Sequence, residues 1–196
     1  MLRSSRRGTG VVILGMAAVT LAVGAIAYHS TVSSVAASSD SGRAGLLAAD
    51  TRPSGPAVPA NLTAPAGLHR IGTFTVVSGT QTYTCANGSF AGASVPEAVL
   101  AGPGGRIHHF AGPSWESQTD HSLVTATKTA ESAVPGSIPQ LLLTVTSHSG
   151  TTHGLLSRVQ NIQRLATSGG AAPATACTDG AKTSVPYHAS YVFWAN

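Results

Sequence analysis

Ile71-Gly72-Thr73-Phe74-Thr75-Val76-Val77 sets Phe74 and Val76 against Thr73 and Thr75. A period of two belongs to a strand with one face buried, because successive side chains leave a pleated backbone on opposite sides. Residues 81–85 repeat the pattern: Tyr83 and Cys85 share one face, the threonines take the other, and the turn dipeptide Asn87-Gly88 follows directly. Further short runs stand at 99–100, 106–110, 122–128, 141–146 and 187–194, separated by segments such as Gly102-Pro103-Gly104-Gly105 and Val134-Pro135-Gly136. This spacing predicts an all-β chain, a single antiparallel sandwich or barrel-like domain. In the last run Tyr187, Ala189, Tyr191 and Phe193 share one face, so the C-terminus is expected in the core. Residues 155–165 admit two readings. Leu155, Val159 and Ile162 fall at helical spacing, while 159–165 also alternate, and Gly150 and Gly154 beforehand favour a hairpin strand.

The first 67 residues differ in kind from the rest. Residues 1–10 carry Arg3, Arg6 and Arg7 and no acid, and residues 11–27 are uncharged and largely apolar, the two regions of an export signal. Ala25-Ile26-Ala27 places small residues where signal peptidase needs them. A run of 17 residues is short against the roughly 20 preferred for crossing hydrocarbon, which favours a cleaved signal peptide over an uncleaved anchor. Membrane contact is expected only through residues 11–27, and only if they stay attached. The Arg6-Arg7 pair resembles a twin-arginine signal, but Gly8-Thr9-Gly10 stands where hydrophobic residues are required. Residues 28–67 are rich in Ser, Ala, Gly and Pro without a lasting hydrophobic period, and are expected as a disordered linker that cannot bury enough surface to offset its ordering entropy. The expected organisation is therefore signal segment 1–27, linker 28–67 and β domain 68–196, in a secreted or extracellular protein.

The formal charge of +4 is misleading, since three of the eleven basic residues lie in the head. Without residues 1–27, eight basic side chains face seven acidic ones and the net charge is +1, which removes the electrostatic footprint of nucleic-acid binding. Two cysteines in an oxidising compartment predict one disulfide, Cys85 to Cys177. A thiolate metal site wants partners within a few residues, and neither cysteine has a second one nearby.

The densest cluster of functional side chains is His108, His109, Trp115, Glu116, Asp120 and His121. A divalent metal could be drawn from His109, Glu116 or Asp120, and His121. On a strand His108 and His109 face opposite ways, the spacing matches no metal motif, and surface histidines near a turn are the ordinary expectation. No metal and no cofactor are assigned. Glycan hydrolysis needs two carboxylates about 5 to 9.5 Å apart, whereas Glu116 and Asp120 would lie about 13 Å apart on an extended strand. There is no Gly-x-Ser-x-Gly elbow, and Pro113 restricts the turn before Ser114. Trp115 offers a face for stacking on a sugar ring. Arg164 with Thr167, Gly169 and Gly170 could hold a carboxylate or sulfate, unless the arginine ties down loop carbonyls instead. The candidate ligand-binding residues are thus His109, Trp115, Arg164 and Thr167, and no catalytic residue is assigned. The expected function is a non-catalytic binding or structural module with cell-wall or other polysaccharide as the candidate partner; the alternative is an extracellular hydrolase using residues 109–121.

Tyr83-Thr84-Cys85, His109-Phe110 with Gly112-Pro113 and Trp115, then Ile162-Gln163-Arg164-Leu165 with Thr167, Gly169-Gly170, Pro173 and Cys177 form a longer pattern. In order and spacing it resembles the secreted bacterial and fungal family known as domain of unknown function 3455, over residues 68–196. Two positions depart from that family's pattern: His121 stands where it has Gly, and Ala166 where it has Asn. The resemblance implies export and a compact domain, and carries no established reaction. Some fungal relatives bear a malate dehydrogenase label, which this sequence does not support. It has no strand followed by Gly-x-Gly-x-x-Gly and a helix, and its one notable Gly-x-Gly, Gly8 to Gly10, lies in the signal segment.

Overall fold

The alternation that begins at Ile71 runs, in the computed structural model, through one long strand, β1 (His69–Thr84), where the sequence indicated two. The structure describes residues 57–196; residues 1–56, read as the signal segment and most of the linker, lie outside the described residues. The interruption between the two halves of β1 is a bulge. Pairing slips between Val76 and Ser78 on one side and between Thr75 and Thr80 on the other. Gly79 sits at the bend, where a Cβ would come within 2.8 Å of Ala98 and 2.9 Å of Val76, so the strand can curve there only without a side chain.

Seven more strands follow: β2 (Val95–Gly102), β3 (Gly105–Phe110), β4 (Ser114–Ser117), β5 (Leu123–Ser132), β6 (Gln140–Ser149), β7 (Val159–Gly169) and β8 (Lys182–Ala195). Each pairs antiparallel with its predecessor, and β8 returns to pair with β1 from His69↔Ala195 to Thr84↔Lys182, so the sheet closes into an up-and-down barrel. Among the described residues, closure gives every strand a neighbour on both sides. Of the two architectures expected, the barrel is the one formed. Residues 159–165 are strand, as the alternation indicated. The strand that the sequence did not reveal is β4, four residues long and too short to show a period.

At one end the barrel is filled with apolar side chains. Phe74, Leu100, Ile107, Val124 and Phe193 are fully buried there, with Phe74 and Phe193 edge to face at 5.4 Å. The β6–β7 loop seals this end by inserting Leu156, also fully buried. Asp120 fixes the loop: its carboxylate accepts hydrogen bonds from the Ser122 hydroxyl at 2.6 Å, the Ser122 amide at 2.9 Å and the Leu155 amide at 2.8 Å. Burial alone would raise the Asp120 pKa, but these bonds, with the Ser117 hydroxyl, outweigh it and hold the carboxyl at about 2.

At the opposite end Cys85 and Cys177 form the expected disulfide, with Cα atoms 6.1 Å apart. It pins the long β7–β8 connection to the end of β1. Backbone bonds from the Cys85 amide to Ala181 and from the Cys177 amide to Gly88 run beside it. The Tyr83 hydroxyl donates to the Gly170 carbonyl at 2.6 Å.

The domain boundary expected at residue 68 needs correction. Ala60–Leu62 forms a 3-10 turn on the outside of the barrel, and Leu62 is fully buried against Leu165 and Val192. Gln163 Nε2 donates to the Leu62 carbonyl at 2.6 Å, Trp194 Nε1 donates to Gln163 Oε1 at 2.8 Å, and Asn61 Nδ2 donates to the Glu131 carbonyl at 2.8 Å. A single apolar side chain in a Pro- and Ala-rich stretch has no period, so its docking could not be read from pattern.

Candidate binding cavity at the disulfide end of the barrel

Toward the disulfide end the inward-facing positions change from aliphatic to polar. Gln81 of β1, His109 of β3, Trp115 of β4, Lys128 of β5, Arg164 of β7 and Tyr191 of β8 line a cavity of about 220 Å³, walled also by Leu141 and Leu143 and by residues 94–96 and 111–113. It reaches the surface beside Val95, which is half exposed.

The floor is aromatic. His109, 3% exposed, lies flat on Trp115, with ring centroids 4.4 Å apart and planes 4° from parallel, and Tyr191 meets both rings edge-on at 5.3 and 6.1 Å. His109 Nδ1 is 2.9 Å from the Ser114 carbonyl oxygen. A carbonyl can only accept, so Nδ1 carries the proton and the neutral ring keeps its lone pair on Nε2. Burial, aided by the charges of Arg164 and His108, pushes the imidazole down to about 3 against the opposing effect of the Ser114 bond.

Above this floor the Tyr187 and Tyr191 hydroxyls are 3.2 Å apart. Burial raises both phenols above their ordinary range; Tyr191 adds to the effect on Tyr187, and Arg164 opposes it for both. Arg164 is oriented by two hydrogen bonds to the Pro139 carbonyl, from Nε at 3.1 Å and Nη2 at 2.9 Å. No Asp or Glu is among the residues lining the cavity. The second cation at the rim, Lys128, is paired with Glu131 at 2.5 Å, and both are half exposed.

Two buried donors in the cavity wall have no hydrogen-bond partner among the described residues, Trp115 Nε1 and Gln81 Nε2. Gln81 Oε1 accepts from the Ser94 hydroxyl at 2.6 Å. Its amide nitrogen lies near enough to the Tyr187 hydroxyl to favour the phenolate, but outside hydrogen-bond geometry.

Of the residues singled out in the sequence, His109, Trp115 and Arg164 meet in this one cavity, and Thr167 does not line it. Thr167 is buried farther along β7, past the bulge at Ala166. His109 is inside the wall and not on the surface near a turn; its neighbour His108 is the outward one, paired with Glu97. Trp115 is 1% exposed and offers no surface face to a sugar polymer. Glu116 points to the outer side of β4 and bonds His121 at 2.9 Å, while Asp120 holds the loop at the far end. The metal-ligand set drawn from His109, Glu116, Asp120 and His121 is therefore not assembled. The Gly169-Gly170 corner is structural: the Gly170 amide bonds Pro186, the Gly169 carbonyl accepts from Ile138, and Arg164 ties down a loop carbonyl. Gln81 and Tyr191 also line the cavity, and no motif marks either as a binding residue. Gln81 carried a signal, a polar side chain in the same register as inward-facing Tyr83 and Cys85.

No curated protein and no solved structure matches the chain. A family model described as protein of unknown function (DUF3455) matches residues 104–195, a span that holds β3 to β8 with His109, Trp115, Arg164, Tyr191 and Cys177 and leaves out Gln81 and Cys85. Over residues 104–195 the chain is similar to the DUF3455 family of proteins of unknown function.

Proposed function

We propose that the barrel is a binding module that holds one small molecule in the cavity above the His109–Trp115 pair. The observation that carries this reading is the division of the interior: one end is packed solid and sealed by Leu156, the other keeps about 220 Å³ open among polar side chains. An eight-stranded barrel is just wide enough to be filled by side chains or to hold one small ligand, and here each half takes one of the two options.

Binding is favoured over catalysis by the protonation states in the cavity. A general acid or base works best with a pKa near the working pH. His109 is held near 3 and both tyrosines lie above the ordinary phenol range, so none is poised to exchange a proton at neutral pH. The disulfide and the apolar N-terminal run support a place outside the cytoplasm. A polysaccharide partner would have to present a chain end or a single residue to the cavity, since Trp115 is not available as an exposed platform.

Thermal denaturation of the full chain in the presence of fragment-sized compounds tests the reading, with Leu141→Trp as a variant that fills the cavity from its wall. Compounds that raise the midpoint of the wild type and lose that effect in L141W support it. Shifts that persist unchanged in L141W, or a complete absence of shifts, contradict it.

A further inference from the structure

We infer that the ligand is a ring-bearing monocarboxylate of about the size of benzoate, its carboxylate facing Arg164 and its ring lying over His109 and Trp115. This rests on the cavity being a binding site, and adds the chemical class of what it takes.

Charge decides one end of the ligand. Arg164 is partly buried where the cavity meets a larger cleft. The cavity lining holds no acid, and the one acid of the cleft, Glu131, is paired with Lys128. Arg164 therefore makes no ion pair among the described residues, and its protein partners are the Pro139 carbonyl and the nearby Tyr191 hydroxyl. Two neutral oxygens do not balance a guanidinium charge, and the planar fork formed by Nη1 and Nη2 suits the two oxygens of a carboxylate. The unpartnered groups on the wall, Trp115 Nε1 and Gln81 Nε2, are both donors. Buried donors without acceptors carry a desolvation penalty that an acceptor-rich ligand relieves.

Volume and wall chemistry decide the other end. An apolar cavity of about 150 Å³ accommodates benzene, so about 220 Å³ admits one ring with a carboxylate, the carboxylate lying at Arg164 where the cavity meets the larger cleft. The parallel His109–Trp115 pair and Leu141 and Leu143 supply flat and aliphatic surface for that ring. An inorganic anion would leave this surface bare, and a neutral ring would leave Arg164 without a counter-charge.

The test is titration of the full chain with benzoate, benzamide and toluene, read by tryptophan fluorescence and by the thermal midpoint. Benzoate should bind saturably, at least about tenfold tighter than benzamide, as expected for a charge-assisted pair. Arg164→Gln should lose about tenfold or more for benzoate and leave benzamide unchanged. Because Arg164 also holds the Pro139 carbonyl, Trp115→Phe serves as a second variant that keeps Arg164 and an aromatic wall but removes the indole donor, and should weaken benzoate more than toluene. If toluene or benzamide binds as well as benzoate, or if R164Q binds benzoate undiminished, the carboxylate assignment fails and the binding cavity stands. If inorganic phosphate displaces benzoate at equal concentration, the ring assignment fails. If none of the probes binds saturably, both the inference and the reading on which it rests fall.

Discussion

The imidazole of His109 and the indole of Trp115 face each other across adjacent strands, paired in register and 4.4 Å apart, in the lining of a cavity that opens to solvent and adjoins a larger cleft at Arg164 and Lys128. Keeping that imidazole neutral has a consequence for stability. Its pKa is about 3 folded and 6.5 when unperturbed, so below pH 6.5 the unfolded chain takes up a proton that the native barrel refuses. The His109 contribution is fully present above pH 6.5 and is lost as pH falls toward 3, at up to about 1.4 kcal/mol per pH unit. Asp120 adds a second loss only in the window from 3.8 to about 2. Urea unfolding between about pH 7.5 and 4.5 should show a falling midpoint that His109→Phe makes shallower. An equal slope in both proteins would mean that His109 is not held neutral in the native state.

The two positions that depart from the family pattern both have left-handed backbone. His121, where the pattern has Gly, has φ 60°, and Ala166, where it has Asn, has φ 49° at a bulge in β7. A side chain with a Cβ is disfavoured there by roughly 1–2 kcal/mol, less for Asn, whose amide can bond locally. Ala166→Asn should therefore stabilise by about 0.5–1 kcal/mol, raising the thermal midpoint by a few degrees. His121→Gly should gain less, because Gly brings extra freedom to the unfolded chain and the surface bond to Glu116 is lost. Calorimetry on both variants checks the order; a midpoint lowered by A166N would show that the bulge is not strained.

The Cys85–Cys177 bond closes a loop of 92 residues, worth about 4–5 kcal/mol in the chain-entropy treatment before any strain is subtracted. Reduction, or Cys85→Ala with Cys177→Ala, should lower the urea midpoint by several kcal/mol equivalent. Amide exchange should quicken first in the β7–β8 connection, which the bond ties to β1. Uniform loosening of every strand, with no preference for residues 170–181, would argue against that anchoring role.

Leu62 marks where the barrel really begins. Its side chain is fully buried, so Leu62→Ala should destabilise by about 2–4 kcal/mol. A chain starting at residue 68 should be less stable than one starting at 57 by a comparable amount. Equal denaturation midpoints for the two would return the boundary to residue 68.

Much of the wall was legible because a strand with one wet face writes its burial into the sequence: Phe74 and Val76 in β1 and Tyr187, Ala189, Tyr191 and Phe193 in β8 are all buried as their spacing indicated. What escaped lacked a period or depended on closure. β4 is too short to alternate, and Leu62 is a lone anchor. Alternation puts His108 and His109 on opposite faces, but which one faces inward depends on a register that only pairing with β2 and β4 sets. The cavity itself arises from β1, β3, β4, β7 and β8 meeting across the barrel, residues up to 110 apart in the chain from Gln81 to Tyr191, and no local pattern records such a meeting.

The most direct check uses the two tryptophans as reporters on opposite sides of the wall. Trp115 Nε1 is unpartnered in the cavity lining, while Trp194 Nε1 is bonded to Gln163 on the outer face. In a titration with benzoate followed by indole proton resonances, the Trp115 signal should move and saturate and the Trp194 signal should stay in place. Movement of Trp194 alone, or of neither, would contradict a ligand seated in the barrel beside His109 and Arg164.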